Sequence, residues 1–213
     1  MRGLPSDSPA VRLSKTLSYI LRHGAEKEGV PMRDDGFVEF EDLRKNPKLT
    51  TLTVEALQEI VKSDAKQRYT LVAEGEKWFV RANQGHSMKT VQLTLNPILA
   101  VSDIPTGTAV HGTDRKAWEH ISSQGLSKMR RNHIHLAQGL DAVSGIYDVG
   151  MRKNCTVRIW IDIQKALNDG LKFFLSDNGV ILSEGNEEGF ILPKYFSKIE
   201  DTRDGLLDIP SSA

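Results

Sequence analysis

The spacing of apolar residues changes midway along this chain, and that change limits it to a helical first part and a strand-rich second part. In residues 11–23 the apolar positions Leu13, Leu17, Ile20 and Leu21 recur every three or four residues. That is the period of an amphipathic helix, and Gly24 is expected to stop it. Residues 36–40 read as a short strand, with a helix following at 41–45 before Pro47. Thr53 caps a further helix whose inner face carries Val54, Leu57, Ile60 and Val61. Two alternating runs, 68–72 and 77–81, joined by Ala73, Glu74, Gly75 and Glu76, form a hairpin signal. Three helices followed by a hairpin make a winged-helix module.

Beyond residue 93 the helical period is lost, and Pro97 and Pro105 mark a connection. Strands are expected at 109–111, 133–136, 156–161, 180–182 and 190–192, with helices at 116–123 and 163–167. Short strands with few long helices give a compact α+β lobe. The division follows as a first lobe over residues 1–95, a linker over 96–107 and a second lobe over 108–213. The first nine residues and the last ten or so are rich in Ser, Pro, Asp and Gly and are expected to fray.

Charge restricts the partners. Lys and Arg number 28 and Asp and Glu 28, so the formal net charge is zero. A general nucleic-acid coat protein would be strongly basic, so any phosphate partner must be met by particular arginines. Cys155 is the single cysteine, which rules out an internal disulfide and fits a reducing compartment. It reads as a small buried hydrophobe rather than a nucleophile. No apolar run approaches the roughly 18 residues of a membrane span, and residues 1–9 lack the hydrophobic stretch of a secretory signal. The expected setting is intracellular, nuclear or cytoplasmic, with no membrane partner. Nothing in the pattern demands an oligomer, so a monomer is expected.

Several short motifs carry chemistry. Arg22 and His23 end the first helix, where cations complement the helix dipole and can also project into a cleft. Arg68 opens a strand. Residues 81–87, containing Arg81, Asn83, Gln84, His86 and Ser87, crowd donors and Gly85 into one loop, as an anion-binding loop would. His111, Gly112 and Thr113 follow an apolar strand and precede a helix. There Gly112 permits close backbone approach, and the helix start offers N–H groups to a diphosphate. His133 and His135 share one strand face, with Ile134 and Leu136 on the other. Such a pair can bind zinc, but no companion ligands appear at metal spacing and no metal is expected. Residues 185–190 contain Glu187 and Glu188, which read as a solvated turn.

The order of these motifs is more specific than any one of them. Residues 13–24 (LSKTLSYILRHG) resemble the opening signature of the NAD-dependent tRNA 2'-phosphotransferase family. Residues 66–69 (KQRY), 81–87 (RANQGHS), 111–113 (HGT), 132–137 (NHIHLA) and 178–182 (NGVIL) resemble its further motifs in the same order. Residues 189–196 (GFILPKYF) resemble its closing segment.

The resemblance implies a winged-helix RNA-binding lobe followed by an ADP-ribosyltransferase-like NAD-binding lobe. It implies an enzyme of tRNA splicing and RNA repair that moves an RNA 2'-phosphate, expected on spliced tRNA, to NAD. The products would be 2'-hydroxyl RNA, nicotinamide and ADP-ribose 1'',2''-cyclic phosphate, reached through a 2'-phospho-ADP-ribosylated RNA. A catalytic tetrad falls on Arg22, His23, Arg68 and Arg131, the last chosen over the adjacent Arg130 because it stands two residues before His133. His111, Gly112, Thr113, His133 and His135 would bind NAD. Lys15, Arg81, Asn83, Gln84, His86 and Ser87 would meet the substrate phosphate or RNA. A phosphate monoester carries between one and two negative charges near neutral pH and needs no base to attack, which leaves Glu187 and Glu188 without an essential task. Rival readings are a sibling enzyme that stops after ADP-ribosylating a phosphorylated nucleic-acid end, and a winged-helix binder with a non-catalytic second lobe.

Overall fold

The computed structural model describes residues 7–139 and 155–210 of the chain. It is a mixture of helices and antiparallel sheets in two compact units, Met1–Thr94 and Leu95–Ala213.

In the first unit, helix α1 (Pro9–Tyr19) starts on Ser8, whose hydroxyl accepts the Val11 N–H at 3.3 Å. Pro9 occupies the first helical position, where its missing N–H costs nothing. The helix does not stop at Gly24. It widens into a π-helical turn, Ile20–Gly24, and keeps coiling to Gly29, whose φ is 65°. There Val30 N–H bonds the Ala25 carbonyl at 2.9 Å and Gly29 N–H the Glu26 carbonyl at 3.2 Å, the paired bonds of a Schellman ending. Gly24 has another task, described below.

The chain then forms β1 (Val38–Glu39), α2 (Phe40–Arg44), α3 (Val54–Ser63), β2 (Tyr69–Glu74) and β3 (Lys77–Ala82). Thr53 caps α3 by accepting the Ala56 N–H at 3.1 Å. The three strands lie in the order β1-β3-β2, and the β2–β3 hairpin turns on Gly75 and Glu76 between the paired Glu74 and Lys77. Leu17, Ile20, Leu21, Leu43, Leu57 and Val80 are fully buried between helices and sheet. Removing one such leucine side chain costs roughly 2–5 kcal/mol, so this core anchors the helix from which Arg22 and His23 emerge.

The second unit runs β4 (Asn96–Ile98), a 3-10 turn (Val101–Asp103), β5 (Val110–Thr113), α4 (Arg115–Gln124), β6 (Leu126–Ser127) and β7 (Ile134–Leu136). It continues with β8 (Val157–Ile161), α5 (Ile163–Asn168), β9 (Phe173–Leu175), β10 (Ile181–Ser183) and β11 (Phe190–Ile191). A second 3-10 turn (Pro193–Tyr195), β12 (Phe196–Asp201) and β13 (Gly205–Leu207) complete it. Two four-stranded sheets, β4-β9-β10-β7 and β13-β12-β8-β5, are linked where Val110 pairs with Ala137. Their shared core includes Ile98, Leu126, Leu136, Ile159, Phe173 and Ile191.

The stretch over 96–107, expected as a linker, is built into this unit. β4 pairs with β9, and Ile98 and Ile104 are buried in its core. The tail expected to fray includes β13, which pairs with β12. His133 and His135 do not share a simple polar face either. β7 begins at Ile134, and all three of its residues are buried.

Asp201 ties the sheet to α4. Its carboxylate accepts Arg115 Nε at 2.7 Å and Nη2 at 2.8 Å, and the Arg203 N–H at 2.7 Å. These bonds, the Arg115 guanidinium first, push its pKa down to about 2. A carboxylate with a depressed folded-state pKa stabilises fully above its unfolded value and loses that contribution as pH falls through the folded value. Asp201→Asn is therefore expected to lower the melting temperature at pH 7, with the difference from the parent shrinking as pH falls below about 4 towards 2. Thermal melts across that range check it.

Candidate functional site

Arg22 and His23 lie in the π-helical turn. Such turns interrupt the regular backbone ladder and recur at functional sites. Here Ser87, in the loop after β3, fastens the turn twice. Its N–H donates to the Arg22 carbonyl at 3.0 Å, and its hydroxyl lies 3.0 Å from His23 Nδ1. Arg22 is half-buried, with its Nε and Nη2 atoms shielded from solvent.

Gly24 makes this turn possible by leaving room for Tyr19. A Cβ added there would lie 2.5 Å from Tyr19 Cε1, and the Tyr19 ring stands 6.5 Å from that of His23.

Arg68 belongs to the same neighbourhood. Asn83 N–H bonds the Arg68 carbonyl at 2.9 Å, and Asn83 lies four residues before Ser87. Four residues span at most roughly 14 Å, so one short loop ties the Arg22–His23 turn to Arg68, which stands just before β2. At the side-chain level Arg68 Nη1 donates to Asp64 at 2.5 Å.

Several other side chains read as phosphate ligands in this unit have structural partners. Asn83 is buried, donating to the Gln67 carbonyl at 2.8 Å and accepting from Thr70 Oγ1 at 2.6 Å. Ser87 serves His23. Arg81 stacks over Phe37 at 4.8 Å and reaches the Asp35 carbonyl. Lys15 pairs with Asp7 at 2.8 Å. Gln84 and His86 are buried. Sequence reasoning missed Asp64 and Tyr19. The signal for Asp64 was an acid four residues before Arg68.

In the second unit His111 Nδ1 lies 3.1 Å from the His135 carbonyl. A carbonyl only accepts, so Nδ1 carries the proton and a neutral ring presents Nε2 as an acceptor. His111 and His135 are thereby brought together across β5 and β7. Gly112 pairs with Arg158 and Thr113 with Val157 on β8. The start of α4 does not offer a bare set of N–H groups to a diphosphate as expected. Asp114 caps it, accepting the Ala117 N–H at 2.9 Å, and its carboxylate disfavours an anion there.

Arg131 is exposed in the loop before β7, where its N–H bonds the Lys128 carbonyl at 3.0 Å. Arg130 beside it is exposed too. His133 lies edge-on to Phe174 at 6.4 Å. Burial first, and Lys128 after it, hold its pKa below the ordinary imidazole value, against an opposing pull from Glu184. Glu187 and Glu188 are exposed in a turn braced by Asn186, whose Oδ1 accepts the Glu188 and Phe190 N–H groups at 3.1 and 2.9 Å. Cys155 packs against Val110 and Ala137. Among the described residues no three His, Cys, Asp or Glu are grouped to hold a metal, and no helix is long and apolar enough to cross a membrane.

Two outcomes follow from this geometry. Gly24→Ala should destabilise the protein by about 1–3 kcal/mol, the usual range for overpacking, and reduce activity by displacing Tyr19 beside His23. Denaturant titration with an activity assay checks both. His133 should titrate below the ordinary imidazole range by NMR. The stability it contributes above its unfolded value is lost as pH falls through the folded one.

The chain matches the family model "RNA 2'-phosphotransferase, Tpt1 / KptA family" over residues 8–185. It is 49% identical to tRNA 2'-phosphotransferase 1 of Mus musculus over 88% of this chain and 76% of that protein. It is 44% identical to the Danio rerio protein of that name, over 91% of this chain and 87% of the relative. With a putative tRNA 2'-phosphotransferase of Schizosaccharomyces pombe it shares 46% identity over 95% of this chain. It spans 54% of that protein's length.

Proposed function

This chain belongs to the RNA 2'-phosphotransferase, Tpt1 / KptA family, and from that membership we propose that it removes a 2'-phosphate from RNA, with spliced tRNA as the expected substrate and NAD as the acceptor. The observation that carries the reading is the fastening of Arg22, His23 and Arg68 by one short loop, Asn83 to Ser87. In this proposal the first unit is the winged-helix RNA lobe and the second the ADP-ribosyltransferase-like NAD lobe of a monomeric enzyme working in the cytoplasm or nucleus.

The donor set around His111 fits NAD. Its ring is fixed by the His135 carbonyl so that Nε2 can accept, as a ribose hydroxyl or carboxamide requires. Gly112 adds no side chain beside it, and Thr113 adds a hydroxyl. His133 and His135 complete the proposed set. When bound, NAD would supply an electrophilic ribose carbon and a nicotinamide leaving group; the phosphate would leave as ADP-ribose 1'',2''-cyclic phosphate and the RNA 2'-oxygen would become a hydroxyl on taking a proton.

The chain's own residues serve the phosphate. Arg22, Arg68 and Arg131 present guanidinium forks suited to phosphoryl oxygens, where charge-assisted bonds are roughly twice as strong as neutral ones. His23, when protonated, donates Nδ1–H to Ser87 and can deliver its Nε2 proton to the departing RNA 2'-oxygen. No carboxylate is needed as a base, since the phosphate is already anionic.

An oligonucleotide with one internal 2'-phosphate, incubated with and without NAD, tests the proposal. Loss of phosphate only with NAD, together with ADP-ribose cyclic phosphate, is expected. Arg22→Ala and Arg68→Ala should each lower the rate roughly 10²–10³-fold, by analogy with removing an oxyanion donor. Accumulation of ADP-ribosylated RNA by the parent protein would favour the sibling transferase, and absence of nicotinamide release would favour a binding module.

A further inference from the structure

The chain around Arg68 is gripped from both sides. Helix α3 ends at Ser63, and the Asp64 side chain folds forward over the next turn. Its Oδ2 accepts the Arg68 N–H at 2.6 Å and its Oδ1 accepts Arg68 Nη1 at 2.5 Å. The Lys66 N–H also reaches Oδ1, at 3.4 Å, and the Asp64 carbonyl accepts the Gln67 N–H at 2.8 Å. On the other side Asn83 donates its amide to the Gln67 carbonyl at 2.8 Å and its N–H to the Arg68 carbonyl at 2.9 Å. Gln67 between them has a φ of 45°, a left-handed conformation unusual for a side-chain-bearing residue. Such a conformation persists only where its surroundings over-determine it, and here both clamps do so.

We propose that Asp64, with Asn83, is a positioning residue for Arg68 that fixes the direction of its guanidinium before a phosphate arrives. The inference rests on the reading of Arg68 as a phosphate ligand. The Asp64 side chain is 9% exposed while that of Arg68 is 39% exposed, so the arginine is held at a buried anchor and remains open to solvent beyond it. A long flexible side chain otherwise loses rotamer freedom when it binds. Fixing it in the unliganded protein moves that cost out of the reaction.

The test uses the full chain, the 2'-phosphorylated oligonucleotide and NAD. It compares Asp64→Ala, Asp64→Asn, Arg68→Ala and the double variant Asp64→Ala/Arg68→Ala. Asp64→Ala should lower kcat roughly 10- to 100-fold, the scale of a misplaced catalytic group, while KM for NAD stays within about two-fold. Asp64→Asn should stay impaired, because its single carbonyl oxygen can accept only one of the two Arg68 donors and its NH2 group would face the other. In the Arg68→Ala background, Asp64→Ala should have no further effect, the sign of two groups acting as a unit.

A kcat for Asp64→Ala within about two-fold of the parent, or a full additional loss in the double variant, overturns the positioning role. Near-normal activity of Arg68→Ala alone overturns the phosphate-ligand reading instead, and this inference with it. Should Asp64→Ala melt below the assay temperature, Asn83→Ser opens the other side of the clamp and must show the same pattern of reduced kcat and unchanged NAD KM.

Discussion

Ser87 holds the Arg22–His23 turn through both its backbone and its hydroxyl, and the geometry of the first unit's polar residues depends on that grip. A π-helical turn leaves backbone groups out of the regular ladder, so it persists only with outside partners. Ser87 supplies one at the Arg22 carbonyl. Gly24 supplies the space, since any side chain there meets the Tyr19 ring. The loop that carries Ser87 begins at Asn83, which is anchored in turn to Gln67 and Arg68. Arg22 and the distant Arg68 are therefore tied to one short segment by main-chain bonds, and His23, next to Arg22, by the Ser87 hydroxyl.

The second unit fixes its polar residues by the same economy. His111 is oriented by a backbone carbonyl of a neighbouring strand, a partner that cannot rotate away as a side chain can. β5 and β7 belong to different sheets and meet where Val110 pairs with Ala137, one residue from His111 and two from His135. The tautomer of one histidine thus depends on how two sheets join. Asp201 locks α4 onto β12 through Arg115, and the donors around it hold its carboxyl well below the usual carboxylate range.

Much of this was legible in the sequence, and the failures have identifiable causes. Thr53 and the apolar face of α3 were readable because a cap and a 3.6-residue period coincide. The hairpin was readable from two alternating runs around Gly75. Gly24 was misjudged because a glycine needed for close approach looks the same as one that ends a helix. The true stop, Gly29, sits in a charged stretch after the apolar period has ended. β4 escaped because Pro97 argues against a strand, yet β4 is an edge strand, where proline is tolerated. In β12 a register shift between Phe196 and Lys198 breaks the alternation that would have exposed it. In the candidate site, residue types were readable but their commitments were not. Asn83 and Ser87 have the chemistry of anion ligands, and only coordinates show that their bonds go to Gln67, Thr70 and His23.

That distinction bears on how a chain with no net charge can be matched to a phosphorylated partner. Many of its cations face acids: Lys15 faces Asp7, Arg33 faces Glu74 and Asp35, Lys48 faces Glu28, and Arg115 faces Asp201. Such pairs cancel the long-range field that would draw any polyanion to the surface. In the proposed site the recognition is short-range: the Arg22 and Arg68 backbones are fixed in advance, and the value of these arginines lies in direction rather than in total charge. Non-specific binding to nucleic acid scales with the number of phosphates neutralised at once, and a surface of paired charges gives it little purchase. Under the proposed reading, a single phosphate offered at the right place would meet Arg68 already aimed by its partner Asp64. On that reading, selectivity for a phosphorylated nucleotide over bulk RNA would rest on the same serine, asparagine and aspartate contacts that shape the fold.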